Sequence, residues 1–89
     1  DVEYTFDGVD FIWDGDKAES NFVKHHIELE EACDVFFDNF CQILRDPMSD
    51  DEERHHIIGY SFKYHLLLVV YVERFDKTRV ISARNATRL

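Results

Sequence analysis

Seven consecutive apolar residues, Leu66-Leu67-Leu68-Val69-Val70-Tyr71-Val72, constrain this chain more than any other feature. The run is far short of the roughly 20 residues needed to cross a bilayer. It also lacks the polar alternation of a half-exposed strand, so it predicts a central strand covered on both faces. The flanking residues extend that strand to Leu66–Arg74 and supply neighbours at Arg54–Phe62 and Thr78–Ala83. Lys63-Tyr64-His65 and Phe75-Asp76-Lys77 are short enough to be hairpin connections. Phe40–Arg45 reads as a further strand closed by Asp46-Pro47, and Pro47–Glu52 as an acidic turn or loop.

The first half has a different character. Phe11-Ile12-Trp13 reads as a short strand that can pair with Val2–Phe6 through the turn-prone Asp7-Gly8. Asp14 is placed to N-cap a helix running to about His25, with acidic residues in its first turn. In the next segment Leu29, Ala32, Cys33, Phe36 and Phe37 recur at helical spacing, an apolar stripe wide enough to face a core. Glu28, Glu30, Glu31, Asp34 and Asp38 fill the rest of that helix, either as a solvated face or as a docking surface for a basic partner. The expected architecture is α+β: an N-terminal short strand and two helices, then an antiparallel β-meander, with a short helix or tail after Arg84. Eighty-nine residues with 45% hydrophobic content suit one modest core. A domain of that size is only marginally stable alone, so a permanent partner or a dimer is expected.

Charge is divided along the chain. Residues 1–53 carry 17 acidic and 3 basic side chains, a net of −14, whereas residues 54–89 carry 2 acidic and 7 basic, a net of +5. One cationic surface can therefore exist on a protein whose total is −9. An acidic N-terminus without an apolar run shows no secretory signal, and the missing initiator Met suggests a processed start. Cys33 and Cys41 read as free thiols in a reducing cytoplasm rather than as a disulfide framework.

Metal chemistry is poorly served by the histidines. His25-His26 and His55-His56 are adjacent pairs, and neighbours in a strand point to opposite faces. With three glycines there is no phosphate-cradling loop of the Rossmann or P-loop kind. Metal-free cleavage of RNA needs a base near the 2′-hydroxyl, cations around the phosphorane and an acid for the leaving oxygen. Arg54, Arg74, Arg79 and Arg84 lie on or at the ends of adjacent strands and suit the second role, since arginine binds phosphate bidentately and stays charged. Simple alternation puts Arg79 and Arg84 on opposite faces of the last strand unless a twist or bulge intervenes. Lys24 or a histidine could move protons, and Glu53 could act as base or orienter. Each of these residues also has a plain surface reading, and Trp13 and Tyr71 read as core.

The order of the motifs carries the reading further. Phe11-Ile12-Trp13-Asp14, then Lys17, Asn21 and Lys24-His25, resembles the opening of the BrnT family of bacterial toxins. Phe36, Asp38, Glu53-Arg54, Gly59-Tyr60-Ser61, Leu67–Tyr71, Arg74 and the stretch Arg79-Val80-Ile81-Ser82-Ala83-Arg84-Asn85-Ala86-Thr87 continue the pattern. The resemblance spans roughly residues 11–88, leaving residues 1–10 as an N-terminal extension to a single domain over 11–89. It implies a RelE-like ribonuclease toxin of a type II toxin–antitoxin system, acting without metal or other cofactor. It implies a BrnA-type ribbon-helix-helix antitoxin as partner, DNA contact only through that antitoxin, and a dimer of toxin–antitoxin heterodimers, with no membrane association. Arg79 and Arg84, followed by Lys24, Glu53, Arg54 and Arg74, fall at the family's recurrent polar positions. Two departures stand out. His26 follows Lys24-His25 where glycine is usual, and Tyr64-His65 replaces a Gly-Arg pair, so that His65, beside Lys63, would take an arginine's place toward RNA.

The expected function is a metal-independent endoribonuclease that arrests bacterial growth. The alternative is a non-catalytic module whose acidic helices dock a basic DNA-binding partner and regulate transcription.

Overall fold

The computed structural model describes residues 1–45 and 54–86. Strands β1 (Val2–Phe6) and β2 (Val9–Trp13) form a hairpin, followed by helix α1 (Gly15–His25), helix α2 (Leu29–Asp34) and a 3-10 turn, Val35–Phe37. Strands β3 (Gln42–Arg45), β4 (Arg54–Tyr60), β5 (Leu66–Arg74) and β6 (Lys77–Asn85) complete the chain. The acidic turn expected at 47–52, the Asp46-Pro47 closure and the residues after Ala86 lie outside the described residues.

All six strands join one sheet in the order β1-β2-β6-β5-β4-β3. The last four pair antiparallel with their sequence neighbours, but β2 pairs parallel with β6 through Phe11–Thr78 and Ile12–Arg79. The sheet is therefore mixed: the strands after the helices pair antiparallel, and the parallel β2–β6 pairing goes beyond the expected architecture. Hairpin logic sees only consecutive strands, whereas β6 returns across the molecule to meet the N-terminal hairpin. The apolar run sits inside the sheet as β5, with Leu67, Val69 and Tyr71 buried against Ala32, Cys33 and Val35. The last strand is longer than expected, since it begins at Lys77 and includes Arg84 and Asn85.

Asp14 caps α1 as expected: its Oδ1 accepts from the N–H groups of Asp16 (2.8 Å) and Lys17 (3.3 Å), and those bonds hold its carboxyl below the ordinary value. At the other end His26 adopts the left-handed conformation (φ 60°, ψ 30°), and its N–H reaches Phe22 O at 2.8 Å. That geometry is glycine's by preference, so this residue bears strain. His26→Gly is expected to raise stability by about 0.5–1 kcal/mol, read as a rise of several degrees in thermal midpoint.

The second helix is shorter than its stripe suggested. It tightens to 3-10 geometry at Val35, which turns Val35 into the core while Phe36 and Phe37 stay half-buried. Phe36 still packs edge-on to Tyr71 at 4.9 Å. Cys33 is fully buried, its Sγ donating to Leu29 O at 3.4 Å, and burial pushes its thiol up to about 12. Iodoacetamide at pH 8 is expected to modify Cys41, which is partly exposed, and to spare Cys33 until the protein is unfolded. Mass spectrometry of native and denatured samples reads this directly.

Candidate functional site

Arg79 and Arg84 share a face of the sheet because β6 is bulged. Tyr71 opposes Val80 and Val70 opposes Ser82, so Ile81 is an extra residue without a partner in β5. Directly opposed residues share a face of the sheet. Val80 and Ala83 therefore both turn toward the helices, where both are buried. Arg79 opposes Val72, Ser82 opposes Val70 and Arg84 opposes Leu68, all on the other face. The bulge thus places Arg79 and Arg84 on one surface, their Cα atoms about 13 Å apart from the rise of four β5 residues.

Strand β4 extends this surface. Arg54 opposes Val72, His56 opposes Val70 and Ile58 opposes Leu68. Arg54 and Arg79 are thus the register neighbours of Val72 on its two sides, and Val72 is only 3% exposed on a face away from both helices. Arginine stems can shield such a valine while their heads stay in water. Arg74 opposes Lys77 at the turn that ends β5. Arg79 Nη2 also donates to Asp1 Oδ2 at 2.9 Å, an exposed pair that contributes little to stability.

Helix α1 brings the remaining cations. Beyond Ile12 the outer edge of β6 no longer has β2 beside it, and Asn21 takes over its backbone groups. Ala83 N–H donates to Asn21 Oδ1 (3.0 Å), while Asn21 Nδ2 donates to Ala83 O (2.9 Å) and to Ile27 O (3.0 Å). This side chain, 5% exposed, ties α1 to β6 as a strand would. Between them lies a cleft of about 240 Å³ lined by Lys17, Ser20, Asn21, Lys24, His25, Ile81 and Ser82. Lys24 and His25 come from the last turn of α1, and Ser82 belongs to the same face as Arg79 and Arg84. Two lysines, an imidazole and two hydroxyls in a cleft beside two arginines suit an oxyanion such as phosphate.

The sequence-predicted residues thus separate into groups. Arg54, Arg79 and Arg84 share a sheet face, with Lys24 at its edge and Arg74 at its end; Glu53 lies outside the described residues. His65 and Lys63 stand elsewhere, in the β4–β5 connection, where His65 Nδ1 meets Glu31 Oε2 at 2.7 Å. Ser82, Ser20 and Lys17 were not singled out as site residues in the sequence, since only the bulge and the Asn21 bridge bring them together. Acidic residues expected to form a solvated or docking face have another use as well. Glu31 Oε2 accepts from Ser61 Oγ (2.7 Å), Asp34 Oδ2 from Phe62 N–H (3.0 Å) and Asp38 Oδ2 from Tyr60 N–H (2.8 Å). Burial lifts the Asp34 carboxyl, with the Phe62 N–H pulling the other way. Among the described residues no three of His, Cys, Asp or Glu gather as a metal site, and no helix is long and apolar enough to cross a membrane.

The fold and this surface define a small α+β protein with helices on one side of a mixed sheet and a band of cations on the other. The model of the family described as ribonuclease toxin, BrnT, of type II toxin–antitoxin systems matches residues 13–89, and the chain belongs to that family. Among solved structures, the 1.1 Å crystal structure of the Brucella abortus ribonuclease toxin, BrnT, is similar with a TM-score of 0.70 and 24% identity, covering 88% of this chain and 96% of that one. At that identity the likeness speaks for the fold. Comparison with curated proteins gives no match.

Proposed function

We propose that this toxin is a metal-independent endoribonuclease whose chemistry takes place where the β6 face meets the α1 cleft. The observation that carries the reading is the bulge at Ile81, which places Arg79, Ser82 and Arg84 on one surface beside Lys24 and His25. A ribonuclease must stabilise the extra negative charge of a phosphorane, and fixed guanidinium groups do this without a metal ion. In this mechanism a base takes the 2′-hydroxyl proton and the 2′-oxygen attacks phosphorus. The 5′-oxygen then leaves with a proton supplied by an acid, giving a cyclic phosphate and a free 5′-hydroxyl. Arg79 and Arg84 hold the phosphate oxygens, and Lys24 or His25 moves a proton. Glu53 is the carboxylate candidate for base or orienter, and Arg54 and Arg74 extend the cationic track.

The scaffold is read as RelE-like, and the partner as a BrnA-type ribbon-helix-helix antitoxin, assembled with the toxin as a dimer of heterodimers in the cytoplasm. Expression without antitoxin is expected to arrest bacterial growth and to leave cut RNA in the arrested cells. Co-expression of a ribbon-helix-helix antitoxin should restore growth. Continued growth with intact RNA would refute the toxin reading.

A further inference from the structure

The β4–β5 connection is held more firmly than its own burial requires. Within it, Ser61 N–H donates to His65 O and Tyr64 N–H to Ser61 O, each at 2.9 Å. Ser61 Oγ accepts from Lys63 N–H (3.3 Å) and His65 N–H (3.2 Å). From outside, the Glu31, Asp34 and Asp38 carboxylates clamp Ser61, His65, Phe62 and Tyr60. Asp38 is held through both oxygens, since its Oδ1 also accepts from Phe40 N–H at 3.1 Å.

This rigid frame presents aromatic rings to solvent. Tyr64 is 86% exposed and sits at φ 65°, a left-handed conformation that costs a residue with a side chain energy. Phe40 is 87% exposed, and Tyr60 and Phe62 are about half exposed. Together with Asp38 and Asn39 these four rings border a cleft of about 450 Å³. Phe75 is also exposed at positive φ, on the two-residue turn after β5, but no comparable clamp holds it among the described residues.

We propose that this aromatic cleft is a nucleobase subsite: it stacks a base of single-stranded RNA lying next to the phosphate on the cationic face, with Tyr64 as the principal ring. The inference rests on the RNA-cleaving reading of that face. Three features favour a base as occupant. The cleft borders the cationic surface at one residue, Tyr60, which opposes Leu66 on the same face as Leu68 and Arg84. Register puts the Cα atoms of Tyr60 and Arg84 about 12 Å apart, within reach of a short single-stranded segment. Ring faces dominate the lining, with the Asn39 amide and the Tyr60 and Tyr64 hydroxyls as neutral polar groups, while each Asp38 oxygen already accepts one backbone N–H bond. Flat rings and neutral groups that both donate and accept suit the stacking and edge recognition of a base.

The test uses the intact chain and a short single-stranded 2′-O-methyl oligonucleotide carrying 2-aminopurine, which cannot be cut by 2′-hydroxyl attack and whose fluorescence reports stacking. Tyr64→Ala is expected to weaken binding about five- to a hundredfold and to diminish the stacking signal. In cleavage of unmodified RNA it should raise KM and leave kcat unchanged. Tyr64→Trp should restore both. Tyr64→Gly relieves the backbone strain, so a loss of affinity there as well cannot come from loss of folding. Unchanged affinity and KM in Tyr64→Ala, with an active wild type, would overturn the subsite while leaving the cationic-face reading intact. Loss of antitoxin capture with normal RNA binding would overturn it in favour of a protein-docking cleft. A wild type that neither binds nor cuts RNA would remove the ribonuclease reading and the subsite with it.

Discussion

Arg79→Ala is expected to lower RNA cleavage by about 10²–10³-fold, the usual loss when one donor to a developing oxyanion is removed. The effect should fall mainly on kcat, because the guanidinium matters most when the phosphorane carries extra charge. Folding should be weakened only modestly: the side-chain bond lost is the exposed one to Asp1, and the stem's cover over Val72 goes with it. Arg79→Lys keeps the charge but not the planar fork, so it should recover only part of the rate. Antitoxin capture by the alanine variant provides the control. Capture lost with cleavage unchanged would make Arg79 an interface residue.

The second large effect is expected at Asn21. Its amide satisfies the N–H and C=O of Ala83 and the C=O of Ile27 in a buried position. Asn21→Ala leaves all three groups without that partner. At about 1 kcal/mol or more for each buried group, the loss should total about 3 kcal/mol. For a domain of this size that lowers the thermal midpoint by roughly 10–20 °C. Asn21→Asp is the diagnostic variant: it keeps an acceptor for Ala83 N–H but turns a carboxylate toward two carbonyls, and should be no more stable than the alanine variant. Activity should also fall at temperatures where the fold persists, because the same bridge sets α1, with Lys17 and Lys24, against Ser82. A loss of less than 1 kcal/mol would mean that α1 is held to β6 by other contacts.

Elements set by local chemistry were legible in the sequence. The Asp7-Gly8 turn, the Asp14 cap and the Leu66–Arg74 strand stand where residue types placed them, while the connections on either side of that strand have shifted bounds, residues 61–65 and Phe75-Asp76. Features arising from distant partners were not. The parallel pairing of β2 with β6 joins residues more than 60 positions apart, and no periodicity reports it. The bulge was open as a possibility but unplaced, because Val80-Ile81-Ser82 alternates as acceptably without it. Glu31, Asp34 and Asp38 looked like a solvated helix face because a carboxylate awaiting a backbone N–H reads the same as one facing water. His26 and Tyr64, the two residues that the sequence resemblance set at glycine positions, both occupy positive-φ positions. There the departures marked sites of strain that residue type alone could not show.

The most direct test is a double-mutant cycle on Arg79 and Arg84, read as cleavage of total RNA by antitoxin-free protein with a metal chelator present. The wild type should cut. Arg79→Ala and Arg84→Ala should each lose about 10²-fold or more, and the double variant should lose much less than the product of the two, because both arginines hold one phosphorane. Losses that multiply would place the arginines in separate roles and contradict the shared site. A wild type that cuts only when metal is restored would contradict the metal-independent mechanism.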